Sequence, residues 1–91
     1  KIKECEGIHA AYKSLGNCRG CRPSDTPAER ATKITCITGV LAGRRRYLKK
    51  KCDYVLPGSI ARGSAIAEAG HRTQVKQFAK MLLKCNTLPT S

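Results

Sequence analysis

Six cysteines in 91 residues constrain this chain more than any other feature. A chain of this length buries a modest share of its surface, so its core alone gives limited stability. Disulfides among Cys5, Cys18, Cys21, Cys36, Cys52 and Cys85 would restrict the unfolded ensemble, each contributing roughly 2–4 kcal/mol where unstrained. Spacing leaves the pairing open. The rival is zinc, which rests on Cys18-Arg-Gly-Cys21. No second CxxC and no His pair at finger spacing accompanies it, and its ligands would sit among arginines. Disulfides are therefore expected, and with them assembly in, action in or export through an oxidising place. No metal or other cofactor is expected, because two histidines and six acids make a set of three or four His/Asp/Glu ligands hard to assemble.

The apolar pattern is helical. Ile2, Cys5, Ile8, Tyr12 and Leu15 recur at helical spacing, with His9 at the edge of their arc and Gly16 placed to stop the helix. Residues 16–25, GNCRGCRPSD, lack periodicity and predict a loop. Thr26-Pro-Ala-Glu29 combines an N-cap hydroxyl, proline at the first helical position and glutamate at the third, which predicts a helix start. From Ala28 toward Lys51, Ile34, Cys36, Ile37, Val40, Leu41, Tyr47, Leu48 and Cys52 share one arc. Gly39 and Gly43 lie beside it, either admitting another helix closely or marking a break. Arg44 falls near the middle of the arc. Either its stem covers apolar surface while its head reaches water, or its guanidinium sits at the floor of a cleft to receive a phosphate.

Leu56-Pro57-Gly58 predicts a turn. Val75, Phe78, Ala79, Leu82 and Cys85 mark a last amphipathic helix ending near Asn86, with 86–91 as a fraying tail. No alternating strand pattern, internal repeat or low-complexity segment occurs. The expectation is one domain over 1–91, mostly α: a small disulfide-stapled helical domain.

Lysine and arginine number 18 against six acids, a net charge of +12. Self-repulsion on that scale disfavours a compact state, so its retention suggests an acidic partner: nucleic acid, an anionic membrane or an acidic protein. Membrane insertion is not expected, since no segment approaches the roughly 18 apolar residues a span needs. Neither an initiator Met nor a signal-peptide pattern is present, and the chain reads as a piece processed from something longer. The densest basic cluster, Arg44-Arg45-Arg46 with Lys49-Lys50-Lys51, wraps more than one helix face with Tyr47 interleaved. It suits a single-stranded or folded RNA backbone, an anionic membrane, or a plain solvated face.

The chemistry-bearing residues gather in 58–74, GSIARGSAIAEAGHRTQ. Glu68 precedes His71 by three residues and Arg72 by four, spacings at which helical side chains meet. A carboxylate beside an imidazole orients the ring and supports its protonated form, which suits a histidine that exchanges protons near neutral pH. Arg62 and Arg72 are candidates to bind phosphate and offset transition-state charge, with Ser59 and Ser64 donating to phosphate oxygens. A helix running back through Gly70 would put Glu68 and His71 on the Val75/Phe78/Leu82 face; a break at Gly70 would leave them in a loop. His71, Glu68 and Arg62 are thus the candidate catalytic groups for metal-independent phosphodiester cleavage. His9 is a second acid–base candidate if the first helix packs against the last. No P-loop, GxSxG, HExxH or dinucleotide fingerprint occurs.

Cys18-Arg-Gly-Cys21, the block 52–64 (CDYVLPGSIARGS) and Gly70-His-Arg-Thr-Gln74 together resemble a C-terminal toxin domain of bacterial polymorphic toxins. Such domains end Rhs-type and type VI secretion effectors and belong to toxin families predicted to be RNases. The similarity runs from about Cys5 to Cys85. Within its matching blocks Asp53, Tyr54, Ser59, Arg62, Ser64, His71 and Gln74 become candidate site residues. The resemblance implies a domain secreted by one bacterium that acts in the cytoplasm of another on RNA, or on DNA, and is held in check by a cognate immunity protein. A +12 nuclease favours an acidic one. Two other classes compete: a basic, disulfide-rich membrane-active antimicrobial protein, and a nucleic-acid-binding module without catalysis.

Overall fold

The computed structural model describes residues 2–16, 18–52 and 61–88, with the side chains of 61–65 and 67 outside that description. It is a small helical domain of three helices, α1 (Ile2–Lys13), α2 (Pro27–Lys49) and α3 (Ala61–Thr87). α2 is the central element, with both α1 and α3 packed against it. Both neighbours run antiparallel to it, and the molecule is elongated, 47 × 21 × 17 Å.

Three helix boundaries have a local cause. α1 ends at Lys13, and the chain then turns through Gly16 at φ 70°, a left-handed conformation that costs glycine nothing sterically. α2 begins with the reciprocal cap expected of TPAE: Glu29 N donates to Thr26 Oγ1 and Thr26 N donates to Glu29 Oε1, each at 3.2 Å. It closes where Lys51 takes φ 54°, an uncommon conformation for a residue with a side chain. α3 passes through Gly70 without a break, and no heavy atom would meet a Cβ there. The helix reaches Thr87, where the sequence suggests a tail from 86 onward. Arg30 Nη1 donates to the Leu88 carbonyl at 2.8 Å and ties that end to α2.

The cysteines form three disulfides, Cys5–Cys52, Cys18–Cys36 and Cys21–Cys85. The two cysteines of the CxxC therefore part company, Cys18 to the middle of α2 and Cys21 to the end of α3. Cys5–Cys52 joins the start of α1 to the segment just after α2.

Two small apolar clusters result, one toward each end of α2. Cys5, Ile8, Tyr12, Tyr47 and Cys52 form the first, between α1 and the C-terminal half of α2. Cys21, Ile37 and Cys85 form the second, with Ile34, Phe78, Met81 and Leu82 against it. Gly39 and Gly43 settle the question the sequence leaves open: α1 approaches α2 across them. A Cβ on Gly43 would lie 2.5 Å from Tyr12 Cβ, and one on Gly39 would lie 2.6 Å from Leu15 Cδ1. At the α2 entrance Asp25 is buried, taking Lys33 Nζ at 2.6 Å and the Arg22 backbone N–H at 2.8 Å. No helix among the described residues is long and apolar enough to cross a membrane.

Candidate active site

Arg44 lies at the junction of the two clusters, where helical spacing and tertiary packing conflict. Its position on the apolar arc of α2 aims it inward, and the rings around it make that tolerable. Its guanidinium carbon stands 5.0 Å from the Tyr12 ring centroid and 6.0 Å from that of Phe78, within the range of cation–π attraction. Nη1 lies 2.8 Å from His71 Nδ1, while the buried Nε has no hydrogen-bond partner. A buried donor left unmatched costs on the order of 1–3 kcal/mol. Among the described residues the guanidinium is thus not fully satisfied.

Arginine has no acceptor, so the guanidinium can hydrogen-bond His71 Nδ1 only in the tautomer that leaves that nitrogen unprotonated. The half-buried imidazole is framed by aromatic rings, Tyr47 at 4.7 Å and Tyr12 at 6.3 Å between centroids. His9 also lies beside Tyr47, at 5.7 Å, and its Nδ1 lies 3.0 Å from the Tyr12 hydroxyl. Both histidines therefore border one tyrosine, with α2 bridging α1 to α3.

One turn before His71, Glu68 takes Arg72. Its Oε1 accepts from Nη2 at 2.7 Å and from Nε at 3.0 Å. Exposed pairs of this kind add about 0–1 kcal/mol, so their value here is to hold Arg72 in place along the helix.

The three consecutive arginines diverge. Arg44 lines a cleft of about 260 Å³ with Tyr12, Lys13, Gln74 and Phe78. Arg45 enters a groove between α2 and α3 of about 520 Å³, shared with Lys49, Arg72 and Lys76 over Leu48 and Val75. Arg46 faces the α1 side, near Glu4 and Gly7. Around α3, Gln74 and Phe78 sit to one side of the α2-facing stripe and Arg72 and Lys76 to the other, as 100° per residue requires.

Of the residues singled out from sequence, the structure brings together Arg44 and His71, pairs Glu68 with Arg72, sets Arg45, Lys49 and Arg72 in one groove, and puts Gln74 in the cleft beside Arg44. Asp53, Tyr54 and Ser59 lie outside the described residues, as do the side chains of Arg62 and Ser64. Sequence reasoning missed four contributors. Tyr12 and Phe78 read only as core positions, and nothing local marks Lys13. Lys76 had a signal, because it follows Arg72 at i+4 and extends the same cationic stripe.

The chain matches no protein-family model, no curated protein and no solved structure.

Proposed function

We propose that this chain is the toxin domain of an antibacterial polymorphic toxin, a metal-independent ribonuclease. In this reading His71 is the principal acid–base group and Arg44 supplies the cation beside it. The observation that carries the proposal is the 2.8 Å contact between Arg44 Nη1 and His71 Nδ1 at a half-buried position. RNA cleavage through the 2′-hydroxyl needs no protein nucleophile. It needs a group that accepts the hydroxyl proton, a group that protonates the leaving 5′ oxygen, and positive charge against the phosphorane oxygens. An imidazole and a guanidinium in contact supply one acid–base group and the positive charge, and His9 is the candidate for the second acid–base role.

The cationic α2–α3 groove supports a nucleic-acid partner. Four cations flank an apolar floor there, which suits a phosphate backbone with bases laid against Leu48 and Val75. The same groove favours one other reading, a nucleic-acid-binding module without catalysis. Export from the producing bacterium, action in the cytoplasm of a target cell and restraint by an acidic immunity protein belong to the proposal through the sequence resemblance and the net charge of +12.

The test is total RNA incubated with purified protein, with and without chelator. Degradation should persist in chelator, and His71→Ala should lower it by roughly 10²–10⁴-fold, the usual worth of a positioned acid–base group, with the helical circular dichroism unchanged. Intact RNA with tight, salt-sensitive binding selects the binding module. A His71→Ala variant that degrades RNA at the wild-type rate sinks the catalytic assignment.

A further inference from the structure

The cleft between α1 and α3 has a lining with no acid in it. Tyr12, Lys13, Arg44, Gln74 and Phe78 surround it with Gly16 and Val40, so every charged or polar group it presents is cationic or neutral. Its volume of about 260 Å³ gives room for a phosphate. Arg44 belongs to two environments at once. It lines this cleft, and through Nη1 it occupies the accepting nitrogen of His71. Its Nε is a buried donor without an acceptor, so the present arrangement leaves hydrogen-bonding capacity of the guanidinium unused. An oxyanion is a far stronger acceptor for a guanidinium than a neutral imidazole, and it takes two donors in parallel.

We propose that the cleft is an oxyanion site for phosphate, and that its occupant draws Arg44 off His71 Nδ1. Filling the site then removes the Arg44 contact from that ring nitrogen. This deepens the proposed function by assigning a phosphate seat and a coupling residue. It rests on the same His71–Arg44 pair but not on RNA as the target. Among the described residues, the titratable and charged groups around His71 include Tyr12 of α1, Arg44 and Tyr47 of α2, and Glu68 and Arg72 of α3. Of these, Arg44 alone is described both at Nδ1 and in the cleft, which makes it the positioning residue. Lys13 and Gln74 supply the outer contacts to the anion.

The coupling is read directly from the imidazole nitrogens. The full chain, labelled with ¹⁵N, is titrated with inorganic phosphate and, separately, with a DNA dinucleotide, a phosphodiester that lacks the 2′-hydroxyl and stays intact. Each titration is followed by long-range ¹H–¹⁵N correlation. A saturable shift of His71 Nδ1, with several-fold weaker apparent affinity in Lys13→Ala and in Gln74→Ala, is the expected result. A shift with the dinucleotide alone assigns the site to a chain phosphate; a shift with both assigns it to phosphate in either form. Saturable binding that leaves His71 unmoved, or no saturable binding of either probe, overturns the proposal. So do Lys13 and Gln74 variants that bind like wild type. RNA left intact by a protein whose His71 does shift defeats the ribonuclease reading and spares this one, whereas cleavage with an unmoved His71 does the reverse.

Discussion

Replacing Gly43 by alanine should separate helix propensity from helix packing. In isolation the change favours the helix by about 1 kcal/mol. Here the new methyl carbon would lie 2.5 Å from Tyr12 Cβ, 3.2 Å from its Cγ and 3.4 Å from its Cδ2. Carbon atoms rest at about 3.5–4.0 Å, so the nearest pair overlaps by roughly an ångström. Tyr12 Cβ is tied to the α1 backbone and cannot rotate away, so α1 itself must retreat. Forced overpacking costs about 1–3 kcal/mol, which outweighs the propensity gain and leaves a net loss of up to about 2 kcal/mol.

Two controls share the chemistry and differ in surroundings. Gly39→Ala meets Leu15 Cδ1, the far end of a side chain that is 42% exposed and free to swing. Gly70→Ala meets nothing within 4 Å. The first should be near neutral and the second more stable by up to about 1 kcal/mol. Denaturant melts with the disulfides intact measure all three. For a domain of this size, 1 kcal/mol corresponds to about 4–8 °C in Tm. Because Tyr12 is also the ring under Arg44, the proposed ribonuclease reading expects Gly43→Ala to lose RNA cleavage out of proportion to its stability. A Gly43→Ala variant as stable as Gly70→Ala would refute the close approach of α1 to α2.

Acid should loosen the α2 entrance. The Lys33 ammonium and the Arg22 backbone N–H hold the Asp25 carboxyl below its ordinary value. Asp25 therefore contributes its full stability above the ordinary carboxylate range and loses it as pH falls through the lowered value. Asp25→Asn should be less stable at neutral pH and lose less on acidification, and pH-dependent melts of the two proteins would show it. Arg45→Ala with Lys76→Ala removes two groove cations. The slope of log K against log salt for single-stranded RNA should fall by about 1.4, at about 0.7 per lost phosphate contact; an unchanged slope removes the groove from the interface. Lys51→Gly relieves a left-handed lysine at φ 54° and should raise stability by up to about 1–2 kcal/mol in the same melts.

The helices were legible because their signals are local. The cap at Thr26, the stop at Gly16 and the arc from Ile34 to Leu48 depend on neighbours within a turn or two. The start of α3 was obscured by Gly63 and Gly70, which discount a helix that Ala61, Ala65, Ala67 and Ala69 support, since alanine is the strongest helix former. The disulfide partners stayed hidden because pairing depends on how three helices meet. The site shows the same limit: Arg44 and His71 stood out separately, but their contact spans 27 positions and depends on the register of α2 against α3. Asp25 is the loop residue the sequence suggests, but its burial was not legible because its partner Lys33 lies two turns into the next helix.

Cys5–Cys52 and Cys21–Cys85 fasten opposite extremities of α2, and the histidine–arginine contact lies between them. α2 is therefore held by a covalent link beyond each of its ends, whereas α3 carries its cross-link at Cys85, on the far side of His71 from the start of that helix. A reductant that opens Cys5–Cys52 first should loosen α1 from α2 and leave the far end tied, and one that opens Cys21–Cys85 first should do the opposite.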